Sequence, residues 1–171
     1  MHTLEVNAEV WLSNFVPTYT NDKEREIFGI GARYVLDNGD WVLRAGGQTL
    51  FGDVSNNERW NIYPEIYTEK PLFNEHLVFY SGWKRFLQRN TYGQFLEENP
   101  WINTQLELDN SRVEDRMAGF KGGFKGFHYD FRFSNKVITQ LPLFLTDSSD
   151  AKRFNVVYDK RTTIFNLSID A

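Results

Sequence analysis

Two stretches of strict two-residue alternation, one near each end of the chain, restrict its fold more than any other feature. Leu4, Val6, Ala8, Val10 and Leu12 fall on one side of an extended backbone, and Glu5, Asn7, Glu9 and Trp11 on the other. Near the C-terminus, Phe127, Tyr129, Phe131 and Phe133 alternate with His128, Asp130 and Arg132. Successive side chains of a strand point to opposite faces, so both segments read as strands of a two-faced sheet. The expectation is that the face carrying Leu4, Val6, Ala8, Val10 and Leu12 is the buried one.

Composition points the same way. The chain has 15 Phe, 8 Tyr and 5 Trp but only six alanines, a balance that suits pleated surfaces better than helices. Its 171 residues fit one β-rich domain, 1–171, with an ordinary core. The expected fold is mainly β: an antiparallel sandwich or barrel-like sheet with a C-terminal meander and one or two helices around residues 71–97.

Residues 18–26 are polar and read as a loop. Residues 30–36 and 41–44 form a predicted hairpin about Asp37-Asn38-Gly39-Asp40. Gly46-Gly47 and Ser55-Asn56-Asn57 read as breakers around 49–54, and Pro64 as the end of a strand begun at Trp60. The apolar spacing predicts a helix over 83–97 and allows another over 71–80, against a competing strand at 77–80. Residues 105–108 read as a short strand and 111–126 as polar and then glycine-rich. Ser134-Asn135 is read as a turn, followed by strands at 136–145, 154–158 and 162–169 that complete the meander. Pro142 restricts its strand to an edge or a bulge.

The sequence offers no chemistry motif. There is no cysteine, hence no disulfide or thiolate metal site. Residues 1–5 lack the pattern of a signal peptide, and no apolar run approaches the roughly 18 residues of a helical membrane span. These points lead to a soluble protein of the cytoplasm or a virus particle, with no membrane contact. His128 and Asp130 share a strand face, and Glu75-His76 is the other conceivable ligand pair. Nothing brings the two together, so neither metal nor cofactor is expected. Nucleophile elbows and metallohydrolase helices are absent, and Glu97-Glu98 reads as a solvated helix end; the chain leans away from being an enzyme.

Charge and aromatic residues point to binding. Residues 1–110 carry 9 Lys+Arg against 16 Asp+Glu, and residues 111–171 carry 10 against 7. The net charge of −4 argues against nucleic acid, while the asymmetry is either a chance partition along a chain whose halves intermix in space or a sign of complementary surfaces for self-association or a partner. Phe120, Lys121, Phe124, Lys125 and Phe127, interleaved with Gly122, Gly123 and Gly126, form the candidate assembly segment. It reads as a glycine-rich hairpin with its phenylalanines at the sheet edge, as a mobile arm engaging a neighbouring subunit, or as a loop that binds nucleic-acid backbone and stacks bases. The leading expectation is a non-enzymatic structural protein assembling with copies of itself or with particle neighbours, such as a phage tail or capsid subunit. The alternative is a small-ligand or carbohydrate-binding β-barrel or sandwich using Trp11, Trp41, Trp60, Trp83 or Trp101.

Overall fold

A computed structural model describes residues 1–13, 25–55, 58–73, 76–103, 106 and 108–170. The chain runs β1 (His2–Ser13), β2 (Arg25–Asp37), β3 (Val42–Ser55), β4 (Glu58–Pro71), β5 (Val78–Gln88), α1 (Tyr92–Glu98), β6 (Ser111–Phe124), β7 (Phe127–Thr139), β8 (Leu141–Thr146), β9 (Phe154–Asp159) and β10 (Thr162–Asp170). Eight strands form one antiparallel sheet in the order β1-β2-β3-β4-β5-β6-β7-β10, and β8 and β9 form a separate hairpin. The meander therefore follows chain order up to β7, makes a detour through β8–β9, and returns with β10 against β7. Pro142 sits in that two-stranded hairpin, opposite Tyr158. Among the described residues, no helix is long and apolar enough to cross a membrane.

The connections differ at the two ends of the sheet. At one end they are short: 38–41, 72–77 and 125–126. The first is held by Asp37 and Asn38, whose side chains accept from Gly39 N and Trp41 N at 3.0 and 2.8 Å. The last is a two-residue turn with φ of 49° at Lys125 and 87° at Gly126, the paired positive values of the hairpin turns that match strand twist. At the opposite end β5 leads to β6 through 89–110 and β7 to β10 through 140–161. These two segments fold together into a cap. Phe95, Ile102, Leu106 and Leu108 form its core with Tyr92, Phe144, Phe154 and Val156 around them.

Polar bonds fasten this cap to the sheet. Asn90 Nδ2 donates to Asp109 O and Ser111 Oγ at 2.7 and 2.9 Å, Asn110 Nδ2 to Val54 O at 2.9 Å, and Ser111 Oγ to Gln140 O at 2.6 Å. A second small cluster, Ile27, Leu50, Val54 and Tyr63 with Trp11 and Leu87, lies on the sheet itself.

Several local expectations change. The helix is confined to Tyr92–Glu98, where Thr91 and Gln94 close a capping box; residues 83–88 belong to β5, as do 78–80, in line with the strand reading of 77–80. Gly46-Gly47 and Pro64 interrupt nothing, because β3 and β4 run through them. At Gly46 a Cβ would lie 2.7 Å from Arg33 Cα and collide with Ala32 O, so glycine here permits close strand approach. Residues 111–124 are β6, and Ser134-Asn135 lies inside β7. The break falls later, at Gln140, whose φ is 63°. Arg25 and Glu26 begin β2, while residues 18–24 lie outside the described residues. So do Gln105 and Glu107 of the short strand expected there; Leu106 and Leu108 are buried in the cap.

Candidate functional site: the two faces of the sheet

Strand partners in register point to the same side, so following the pairs across the sheet sorts its side chains onto two faces. One line runs through His2, Leu36, Leu43, Thr68, Ser81, Ala118, Phe133 and Leu167. The side chains sharing its face are Leu4, Val6, Val10 and Leu12 in β1, Phe28 and Ile30 in β2, and Trp60, Ile62 and Ile66 in β4. They continue as Phe120 and Phe124 in β6, Phe131 in β7, and Phe165 and Ile169 in β10. All are exposed: Leu4 and Val6 each by 69%, Leu167 by 70%. The face expected to be buried is the one turned outward.

The total accessible surface is large for the mass of the chain. It is 11522 Å², whereas a compact monomer of 20.1 kDa has about 8,700 Å². Isolated surface leucines are ordinary, but the largest apolar patch on a typical soluble monomer is only about 300–600 Å². Here the apolar face extends across the eight strands.

The opposite face is concave and mostly polar, with the cluster of Ile27, Leu50, Tyr63 and Trp11 buried on it toward the cap. Arg33 pairs with Glu65 at 2.6 Å and Glu5 at 3.6 Å across β1, β2 and β4. Lys121 meets Glu69 at 2.6 Å, and Tyr67 also donates to Glu69. Tyr80 donates to Asp130 at 2.5 Å, and Arg132 faces Asp115 at 3.9 Å. Burial pushes the Glu69 carboxyl up, but hydrogen bonds from Lys121 and Tyr67, with the charges of Lys121 and Arg44, outweigh it and hold it below its ordinary value. Burial and the bond to Asp130 push the Tyr80 phenol up to about 12. The sheet curls toward this face: Arg89, just after β5, lies 4.8 Å from the ring centroid of Trp11 in β1. An open cleft of about 530 Å³ spans from Glu5, Asn7 and Glu9 to Lys84 and Phe86.

The candidate assembly residues divide between the faces. Phe120, Phe124 and Phe127 are exposed on the apolar face, Lys121 is on the polar face against Glu69, and Lys125 is in the turn, its ammonium 5.2 Å from the Phe124 ring centroid. The segment is the β6–β7 hairpin. His128 and Asp130 share the polar face, and among the described residues no group of three His, Asp or Glu is placed to hold a metal. His76 Nδ1 instead contacts Gly123 O at 2.8 Å. Of the tryptophans, Trp41, Trp60 and Trp101 are exposed. The sequence reading did not single out Arg33, Glu65, Glu69, Tyr80 or Asp115. For Glu65 and Glu69 the signal was available in the alternation of Asn61, Tyr63, Glu65, Tyr67 and Glu69 with Trp60, Ile62, Pro64 and Ile66, on both sides of the proline.

The chain matches no protein-family model, no curated protein and no solved structure.

Proposed function

We propose that this chain forms part of the wall of a membrane-embedded β-barrel, its apolar face against lipid and its polar face lining a watery interior. The observation that carries this reading is the oblique course of the exposed apolar band. In β1 the band, centred on Ala8, lies wholly on the cap side of the line through His2 and Phe133. In β7 the residues from Phe127 to Phe133 lie on or beyond that line toward the short turns. The displacement is about nine residues over the six strand steps, most of it taken between β4 and β6. With strands about 4.8 Å apart and a rise of about 3.3 Å per residue, that corresponds to a tilt of roughly 45°, close to the 35–45° of barrel strands.

Other features agree. Nine residues from Leu4 to Leu12 match the roughly 9–11 that span a bilayer at this tilt. Phe28, Phe51 and Trp60 form an aromatic row at the cap-side edge of the band, where interfacial aromatics gather. Two connections on the cap side, 89–110 and 140–161, are far longer than the turns at the other end, in keeping with the usual barrel asymmetry. Among the described residues β1 and β10 have a neighbour on one side only. In lipid those edges must be paired, so further strands complete the wall.

The second reading keeps the assembly expectation: neighbouring subunits of a particle cover the apolar face, and β1 pairs with β10 of the next copy. The two free edges favour it. A cysteine-free chain makes the test direct. Single cysteines at Val6, Ile30 and Phe131 should resist a water-soluble maleimide once the chain is refolded into vesicles, while cysteines at Glu5, Asn7 and Lys84 should react. Equal labelling of both faces, or large lipid-free oligomers with no vesicle binding, would overturn the membrane reading; the second outcome would favour the particle.

A further inference from the structure

Resting on the lipid-facing reading of the apolar face, we propose that the seam between β4 and β5 binds the phosphate of an anionic membrane lipid. The β4–β5 ladder stops at Glu65 and Lys84, beside Pro64, which has no N–H to donate. Beyond that point, among the described residues, β4 pairs with β3 and β5 with β6. The separation leaves a cavity of about 260 Å³ whose polar lining is Asn61, Arg85, Arg112, Glu114 and Thr139.

The charge at this seam is unlike the rest of its face. Arg85, Arg112, Glu114 and Arg116 share the pleat side of Trp83 and Ala118; Arg116 stands directly opposite Trp83, and the other three lie on the cap side of that pair. They begin where the apolar band ends, at the level of lipid headgroups. Glu114 Oε2 accepts from Arg85 Nε and Nη2 at 3.1 and 3.0 Å. Its Oε1 accepts from Arg116 Nε at 2.9 Å and from Trp83 Nε1 at 3.0 Å. One carboxylate shared by the guanidiniums of Arg85 and Arg116 leaves this trio with a net positive charge. Glu114 takes Nε and Nη2 of both Arg85 and Arg116, which leaves Nη1 of each outside the pairing, on side chains 49% and 65% exposed. Planar, permanently charged forks suit phosphate oxygens. Trp60 and Arg85 line one shallow depression on the seam, so an indole stands beside the cation, as at membrane interfaces. The adjoining apolar face supplies what free phosphate cannot use, a bed for acyl chains.

Flotation with phosphatidylcholine vesicles, with and without phosphatidylglycerol, tests this. The wild-type chain should partition roughly ten- to thirtyfold more strongly into the anionic vesicles, about the effect of two interfacial arginines. Arg85→Gln/Arg116→Gln should lose that preference and still bind phosphatidylcholine. Arg85→Gln/Glu114→Gln/Arg116→Gln repeats the comparison without stranding the carboxylate. Lys152→Gln/Arg153→Gln, two cationic residues at the β8–β9 turn, should keep the preference. A preference that survives in the seam variants, or its absence from a wild type bound to both vesicles, overturns the site and leaves the membrane reading standing. Loss of the preference to inorganic phosphate at the lipid's own concentration overturns the assignment to lipid. Failure to bind either vesicle overturns both proposals.

Discussion

Lys125 and Gly126 show how one residue's backbone freedom positions a whole hairpin. Both have positive φ, which costs a residue with a Cβ roughly 1–2 kcal/mol unless it is Asn or Asp. Lys125→Asn should therefore stabilise the refolded chain by about 0.5–1 kcal/mol, and Gly126→Val should destabilise it by at least as much. Urea unfolding followed by tryptophan fluorescence measures both. Glu69 illustrates the electrostatic side at the same scale. Its folded pKa lies below the ordinary 4.5, so its contribution is fully present above that value and is lost as pH falls through the folded pKa. The unfolding midpoint should drop on acidification from about pH 6 to about pH 3, and less steeply in Lys121→Gln, which removes the partner that lowers the pKa. An unchanged slope in that variant would show the pair to be thermodynamically idle.

Single elements depart from local pattern where tertiary pairing overrides it. In β5, Trp83, Phe86 and Leu87 have helical spacing, yet the segment pairs with β6 along its length. Trp83, Arg85 and Leu87 share one face, Lys84 and Phe86 the other, so each face mixes apolar and charged groups and the alternation is masked. The helix survives only after Asn90-Thr91, where a capping box gives it a start. What keeps the cap seated is the buried Asn90, which bridges Asp109 and Ser111. Asn90→Leu leaves those acceptors unsatisfied and should cost about 1–3 kcal/mol. Limited proteolysis should then cut first within 89–110, with the strands protected; uniform cleavage along the chain would mean the latch holds more than the cap.

For the whole molecule, the deciding quantity is the cost of charge on the apolar face. Val6 is 69% exposed, and on a water-facing surface Val6→Lys would change stability by no more than about 0.5 kcal/mol. Near the middle of a bilayer the same change costs about 2–4 kcal/mol. Unfolding from vesicles should show the larger figure, and the parallel change Asn7→Lys on the polar face should show the smaller. Near-equal costs at the two positions would contradict a lipid-facing wall.

The alternation in residues 4–12 and 127–133 determines strands and two chemically opposite faces, because the period of a strand is a property of the backbone. The turn at 37–40 and the strands at 154–158 and 162–169 were legible for the same local reason. Which face is buried was not legible. An alternating strand has the same sequence whether its apolar side meets a protein core or something outside the chain. Only the register of eight strands, joining Leu4 to Tyr34, Ala45, Ile66 and Trp83 on one side, put those side chains outward and brought Arg33 to Glu65, 32 residues away. The seam at Arg85 and Glu114 was hidden likewise: its partners come from different strands, and pairing between strands is a long-range choice that no local window contains.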